Sequence, residues 1–384
     1  MDTTQLLLAL IRIAVCGEAP NAELKAACTP EALTQVFSLA SRHDLAHLVG
    51  QGASKLSLPD SEPLQLCKKA AMQAFFRFAK QQHTCKAVCQ ALEQAEIPFI
   101  PLKGSVLRDY YPEGWMRTSC DLDILVKEQT LAQARSLLEQ GGWSFRDETS
   151  HDVAFVSPDG VHLELHYSTI EDYVSEKGKK IMEGIWQAAT PLPGKKYHMV
   201  ISDALFYYYH MAHMAKHFIH GGCGIRSFLD VWVMNHRMEF DPDPRKALLA
   251  EGELTAFGRA SERLAEIWFS GAPMDEDSQN FQNFVLSGGT YGTVKNRVNL
   301  QQEQKGGKLK FALGRIFLSY DILKHQFPVL QKHRWLTPLY QVVRWCRLLF
   351  CGGVKRSVQE LQTTAGVSQE EQSAAGKLLR YLEL

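Results

Sequence analysis

The sequence carries no excess of either charge sign: lysine plus arginine and aspartate plus glutamate number 42 each. A protein that coats nucleic acid needs surplus cations to displace counterions from the phosphate backbone. The balance argues against that class and leaves room only for a local basic groove, so a nucleic-acid partner is not expected. Long apolar runs are missing too. The run from Leu6 to Val15 is interrupted by Arg12 and follows no basic stretch. It is too short to span a bilayer and lacks the layout of a signal peptide. No transmembrane segment is expected, and the chain reads as cytoplasmic. Cysteine is sparse: nine residues (16, 28, 67, 85, 89, 120, 223, 346 and 351) scatter along 384 positions. Only Cys85 and Cys89 stand close, four apart on a helical stretch, with no second pair to complete a zinc site. Reduced thiols packed among helices are the expectation.

What remains is ordinary globular composition, 45% hydrophobic and 22% charged, on a chain long enough for two or three packed units. Residues 1–95 read as helices, with apolar positions at helical spacing and Pro20, Pro30, Pro59 and Pro63 at the breaks. The texture changes at Ile97. A short apolar run, Ile97 to Leu102, ends at Lys103-Gly104-Ser105, and a helical stretch from Ser105 to Tyr111 follows. A second apolar run, Leu122 to Val126, carries Asp121 and Asp123. Thr130 is placed to cap a helix through Leu138. Val153 to Val156, the turn Pro158-Asp159-Gly160 and Val161 to His166 then read as a hairpin. From about 200 the helical texture returns. The expected fold class is α+β: a small mixed sheet in residues 96–195, flanked by helical regions in 1–95 and 196–384, with no internal repeat.

Side chains two apart on a strand share a face. Asp121 and Asp123 therefore point one way while Leu122, Ile124 and Val126 point the other. Their Cα atoms fall about 6.6 Å apart at the strand rise, close enough for the carboxylates to bridge two divalent ions. Hard oxygen ligands suit Mg²⁺. The second hairpin strand repeats the pattern: His162, Glu164 and His166 lie on one face, opposite Val161, Leu163 and Leu165. With the strands side by side, Glu164 becomes a third ligand or a base that takes a proton from an attacking hydroxyl. An isolated Asp-x-Asp is common and more often binds nothing. The upstream turn and the downstream carboxylate are what raise it above that reading.

This constellation resembles the polymerase-beta-like nucleotidyltransferase superfamily: Gly104-Ser105, Asp121-Leu122-Asp123 and a later strand-borne Glu164. More narrowly, Ile97 to Gly104, Tyr111-Pro112, Arg117 and Asp121 to Val126 look like the bacterial family called uncharacterised nucleotidyltransferases. The likeness continues in Leu163 to His166, His213 to His217, Gly224-Ile225-Arg226 and Asp230, and covers roughly residues 85–235. The interval from Ser105 to Asp121 is longer than in many superfamily members. The resemblance implies a nucleotidyltransferase-type sheet and transfer of a nucleotidyl group, with AMP from ATP expected. The acceptor would be a hydroxyl or phosphate of a small molecule, peptide or protein. Residue by residue, Asp121 and Asp123 would hold two Mg²⁺ ions, with Glu164 joining at the acceptor-side ion. Gly104 and Ser105 would meet the nucleotide phosphates, with Lys103 and Arg117 as phosphate contacts. For Lys103 an exposed strand-end role weighs equally.

His210, His213, His217 and His220 recur at three- and four-residue intervals and so share a helical face. Zinc is not expected there, because no third ligand is near. His213, Lys216 and His217 are expected to line the cleft and meet nucleotide or acceptor, whereas His210 and His220 take packing and surface roles. Arg226 and Asp230, four apart, read as a helix pair. The glycines around Thr290 read as a helix stop. Trp335, Tyr340, Trp345 and Phe350 read as a core-packed amphipathic helix with snorkelling arginines. Two other functions stand behind the transferase. One is a non-catalytic nucleotide-binding module on the same fold, which a lost carboxylate would favour. The other is an RNA-end nucleotidyltransferase, which a basic stripe would favour.

Overall fold

Cap chemistry sets the start of the helical N-terminal region. In the computed structural model Asp2 caps α1 (Thr3–Ile11) in a reciprocal box with Gln5, Asn21 caps α2 (Ala22–Ala27), and Thr29 followed by Pro30 opens α3 (Pro30–Arg42); each side chain satisfies an orphan N–H. The apolar run at Leu6 becomes the wholly buried side of α1 and packs against α3 and α4 (Ala46–Ser54). Gly50 and Gly52 let α4 close on its neighbours: a Cβ there would lie 2.4 Å from the Cys67 carbonyl oxygen or 2.2 Å from that of Leu10. The long α5 (Glu62–Gln94) follows. The structure describes residues 1–169, 175–290, 292–304, 310, 313–314, 316–350 and 369–384. Tyr291, Cys351, residues 305–308 and the Phe350 side chain lie outside these.

His47 shows how burial fixes a protonation state. It is 3% exposed on α4 and its Nε2 donates to the Met116 carbonyl oxygen at 2.8 Å. Burial lowers its pKa from 6.5 to about 4. The unfolded ring therefore takes a proton that the folded ring refuses, and stability falls as pH drops through that window. The loss reaches up to about 3 kcal/mol. Denaturation midpoints across the interval should shift in the wild type and shift much less in His47→Gln.

The sheet runs β1 (Phe99–Pro101), β2 (Asp121–Val126), β3 (Ser144–Glu148), β4 (Asp152–Val156) and β5 (His162–His166) along the chain, in the spatial order β1-β2-β5-β4-β3. The β2–β5 pair is parallel and the other pairs antiparallel. Pro101 is tolerated because β1 is the sheet's edge, where no ladder donor is needed. One face is a dry core of Leu122, Ile124, Val126, Phe155, Leu163 and Leu165 with Leu92 of α5 and Leu138 of α7 (Leu131–Gln140). Thr130 does precede α7, but its hydroxyl donates to the Lys127 carbonyl and makes no side-chain cap. The sequence gives no sign of β3. All five of its residues are exposed, so this opposite edge strand has no alternating apolar face to read.

Helices resume with α8 (Glu176–Glu183), α9 (Ile185–Ala188), α10 (Asp203–Ile219), α11 (Ile225–Arg237), α12 (Pro242–Glu251) and α13 (Thr255–Ser270). The fold is thus α+β, a five-stranded mixed sheet flanked by helices. The chain forms two compact units, Met1–Lys216 with Gly224–Ser278 and His217–Cys223 with Gln279–Leu384. In the second unit Phe218 packs edge-to-face on Phe281 and tilted against Phe284, at centroid distances of 5.5 and 4.9 Å. Gly292 sits at φ +74°, and a Cβ on it would lie 2.1 Å from the Gly221 carbonyl. That close approach gives the glycine cluster a packing role. Trp335 is 77% exposed, so it does not take the core position expected of it. Among the described residues no helix is long and apolar enough to cross a membrane.

Candidate active site

The β2–β5 register places Asp123 directly beside Glu164, Asp121 beside His162 and Leu125 beside His166. Because neighbours in register share a face, the acidic face of β2 becomes continuous with that of β5. Asp123, Glu164 and His166 each offer a ligand atom, and these atoms lie within 4.8 Å of one another. His166 Nε2 sits 2.9 Å from Asp123 Oδ1 and 3.5 Å from Glu164 Oε2. Asp121 is not one of the three. It stands at the start of β2 and senses them through charge: burial first, then the Asp123 and Glu164 carboxylates, push its pKa up to about 6.

Asp123 is 3% exposed, and a buried carboxylate must be compensated or neutralised. Compensation comes from Lys103, whose Nζ donates to Oδ1 at 2.7 Å, and from His166. Burial opposes ionisation, but these partners outweigh it and hold the Asp123 pKa well below the carboxylate range. Burial opposes the charge on Lys103, but Tyr209, Asp123 and Glu164 around it outweigh that and hold its pKa up. Glu164 is the accessible member, its side chain 37% exposed, and the His166 contact lowers its pKa.

Lys103 reaches Asp123 from an unusual backbone. Its φ is +47° and ψ −120°, the first central position of a turn type normally given to glycine. The Ser105 N–H donates to the Leu102 carbonyl to close that turn, and the Leu102 N–H donates to the Asp123 carbonyl. A non-glycine residue in this region carries roughly 1–3 kcal/mol of strain, held where the surroundings impose it. Gly104 follows at the start of α6 (Gly104–Leu107), buried and tight against neighbours: a Cβ would lie 3.3 Å from Arg117 Nη1.

Arg117 is placed differently from its expected role. Its Nε donates to both Asp230 oxygens at 2.8 and 3.0 Å, and its side chain is 9% exposed. Tyr111 donates to the same carboxylate at 2.7 Å. Asp230 is thereby kept ionised against a desolvation that favours the acid. The expected Arg226–Asp230 helix pair is not formed. Arg226 donates to Asp44 at 2.9 Å and to the Thr118 carbonyl, because Asp230 is already engaged in the interior. Arg108 donates to the Gly104 carbonyl at 2.8 Å and to Ser119 Oγ at 3.2 Å. These buried cations brace the loop between the Lys103 turn and β2.

The α10 helix brings further groups. Tyr209 is buried and responds to the charges of Lys103, Asp123, Glu164 and Asp121; burial pushes its phenol well up. Its ring lies 6.2 Å from that of His213. Lys216 is pulled down to about 8 by burial and by repulsion from Lys103, with Asp152 and Glu164 opposing, which places it at the edge of this cluster. His210 is buried and its Nε2 contacts the Ser227 carbonyl. His217 and His220 belong to the second unit. Sequence reasoning did not assign His166, Tyr209 or His151 to the site. For His166 the signal existed: it lies two positions beyond Glu164 on the same face. His151, stacked on His166 at 6.3 Å, and Tyr209 arrive only through folding.

No curated protein matches the chain. Among solved structures, that of the antibiotic-resistance factor ANT(2'')-Ia aligns with 50% of this chain and 91% of its own, at 9% identity and a TM-score of 0.27. The family described as "Uncharacterised nucleotidyltransferase" matches residues 30–270, well over half the chain, so the protein belongs to that family.

Proposed function

We propose that the protein is a Mg²⁺-dependent nucleotidyltransferase that moves a nucleotidyl group, AMP from ATP, to a hydroxyl or phosphate acceptor. The observation that carries this reading is the convergence of Asp123, Glu164 and His166 on one sheet face, with Asp121 two residues from Asp123. Carboxylate oxygens suit Mg²⁺, and the residues that would hold the ions are Asp121, Asp123 and Glu164. Bound there, the cations would neutralise developing phosphate charge and orient the reacting oxygens. His166 orients Asp123 and Glu164 by donating from Nε2. Glu164, the most exposed of the three, is placed to take the acceptor proton. Lys103, at the Gly104-Ser105 turn, is the phosphate-facing cation, and its strained backbone aims the ammonium at the site. Lys216 and His213 are assigned to nucleotide or acceptor contacts. Arg117 is assigned to the buried Asp230 network, where it supports Gly104. We further propose that residues 96–195 carry the catalytic core, with the helical regions 1–95 and 196–384 shaping access.

Calorimetry of ATP, GTP, CTP and UTP with Mg²⁺ tests this on wild type and Asp121→Ala/Asp123→Ala. Metal-dependent binding of a nucleotide that the double variant loses is the expected result. Equal binding by both proteins would sink the assignment. Tight binding without transfer to any acceptor offered would favour a nucleotide-binding module.

A further inference from the structure

A cavity of about 840 Å³ lies behind the Lys103–Ser105 turn, and its walls include Cys85, Lys86, Cys89, Ser105, Arg108 and His198. Asp121, Asp123 and Glu164 are not among its walls, so it is distinct from the carboxylate site. Cys85 and Cys89 are one turn apart on α5, half-buried, with their sulfurs 4.0 Å apart. Two thiolates on one tetrahedral ion at ~2.3 Å stand about 3.8 Å apart. The pair thus spans a single soft ion with almost no adjustment. A disulfide at about 2.05 Å would require the sulfurs to close by half on a rigid helix face.

We propose that Cys85 and Cys89 form a dithiol site in this cavity for one soft, thiophilic ion, a d¹⁰ cation or a trivalent arsenical. With a d¹⁰ cation each thiol releases its proton to solvent as a sulfur–metal bond forms. With an arsenoxide, R–As=O, two As–S bonds replace the As=O bond, and the oxygen leaves as water with both thiol protons. No electron is exchanged. Soft thiolates select such ions over the hard cations suited to the carboxylates. The shared contact favours one thiolate: with burial opposing and Arg108 helping, it lowers the Cys85 pKa to about 7, while Cys85 and burial push the Cys89 thiol well up, so Cys85 binds first and Cys89 gives up its proton only as its own bond forms. Arg108 also holds the Gly104 carbonyl and Ser119, so an occupied dithiol shares a residue with the turn that carries Lys103.

The probe is phenylarsine oxide, followed by intact-mass measurement of the full chain after a chase with excess monothiol. Isolated cysteines lose the adduct in the chase, whereas a chelating pair keeps it. One chase-resistant adduct per chain is expected in wild type and in Glu164→Gln, with none in Cys85→Ser or Cys89→Ser. In wild type the arsenical should also shield Cys85 and Cys89, and no other pair, from iodoacetamide; that readout does not depend on how the variants fold. Absence of a retained adduct in wild type, or shielding mapped to other cysteines, overturns the proposal.

Discussion

Asp230→Ala is expected to destabilise the protein by about 3–5 kcal/mol, a larger effect than loss of any exposed charge here. The carboxylate is 1% exposed and accepts from Arg117 and Tyr111. Removing it strands a guanidinium and a phenol in an interior that cannot solvate them. The cost therefore reflects the orphaned Arg117 more than the strength of the pair. A compensated variant separates the two: Arg117→Met/Asp230→Leu removes both charges and should recover most of the lost stability. Urea denaturation of the wild type, Arg117→Met, Asp230→Leu and the double variant completes the cycle. If Asp230→Ala proves as stable as wild type, the buried network has been misassigned. The same cycle separates stability from function. Because Arg117 lies against Gly104, the double variant should bind Mg²⁺ and nucleotide less well even where its stability is restored.

Glu164→Gln is expected to show the opposite profile. Its side chain is 37% exposed and sits at the rim of the cluster, so stability should stay within about 0.5 kcal/mol of wild type. Transfer activity should fall on the order of 10²–10³-fold, since the amide neither ligates Mg²⁺ as a carboxylate does nor takes a proton. Asp123→Asn should lose both properties, because Lys103 and His166 then face a neutral partner in a buried position. Stability and metal-dependent nucleotide binding measured on both variants decide this. Full metal-dependent binding by Glu164→Gln would remove it from the metal set and leave it at most a base.

Much of this was legible because strand periodicity is local. Alternation in Asp121 to Val126 and in His162 to His166 needs only neighbouring residues, and it separated an acidic face from a core face that the sheet then displays. The motifs around Lys103, Asp121 and Glu164 were enough to name the family. β3 was invisible because an edge strand exposed on both faces carries no pattern. Trp335 misled because amphipathicity names an apolar face without naming what covers it.

By itself, then, the sequence determined the α+β class, the family and which carboxylates share a strand face. The tertiary structure alone decided the partners: Glu164 beside Asp123 rather than Asp121, His166 and Lys103 as the hydrogen-bond partners of Asp123, and Arg117 committed to Asp230 113 positions away. The division has a physical cause. Side-chain direction follows from backbone geometry within a few residues. The pairing of buried charges is set by desolvation, and a group's desolvation exists only once distant segments have closed around it.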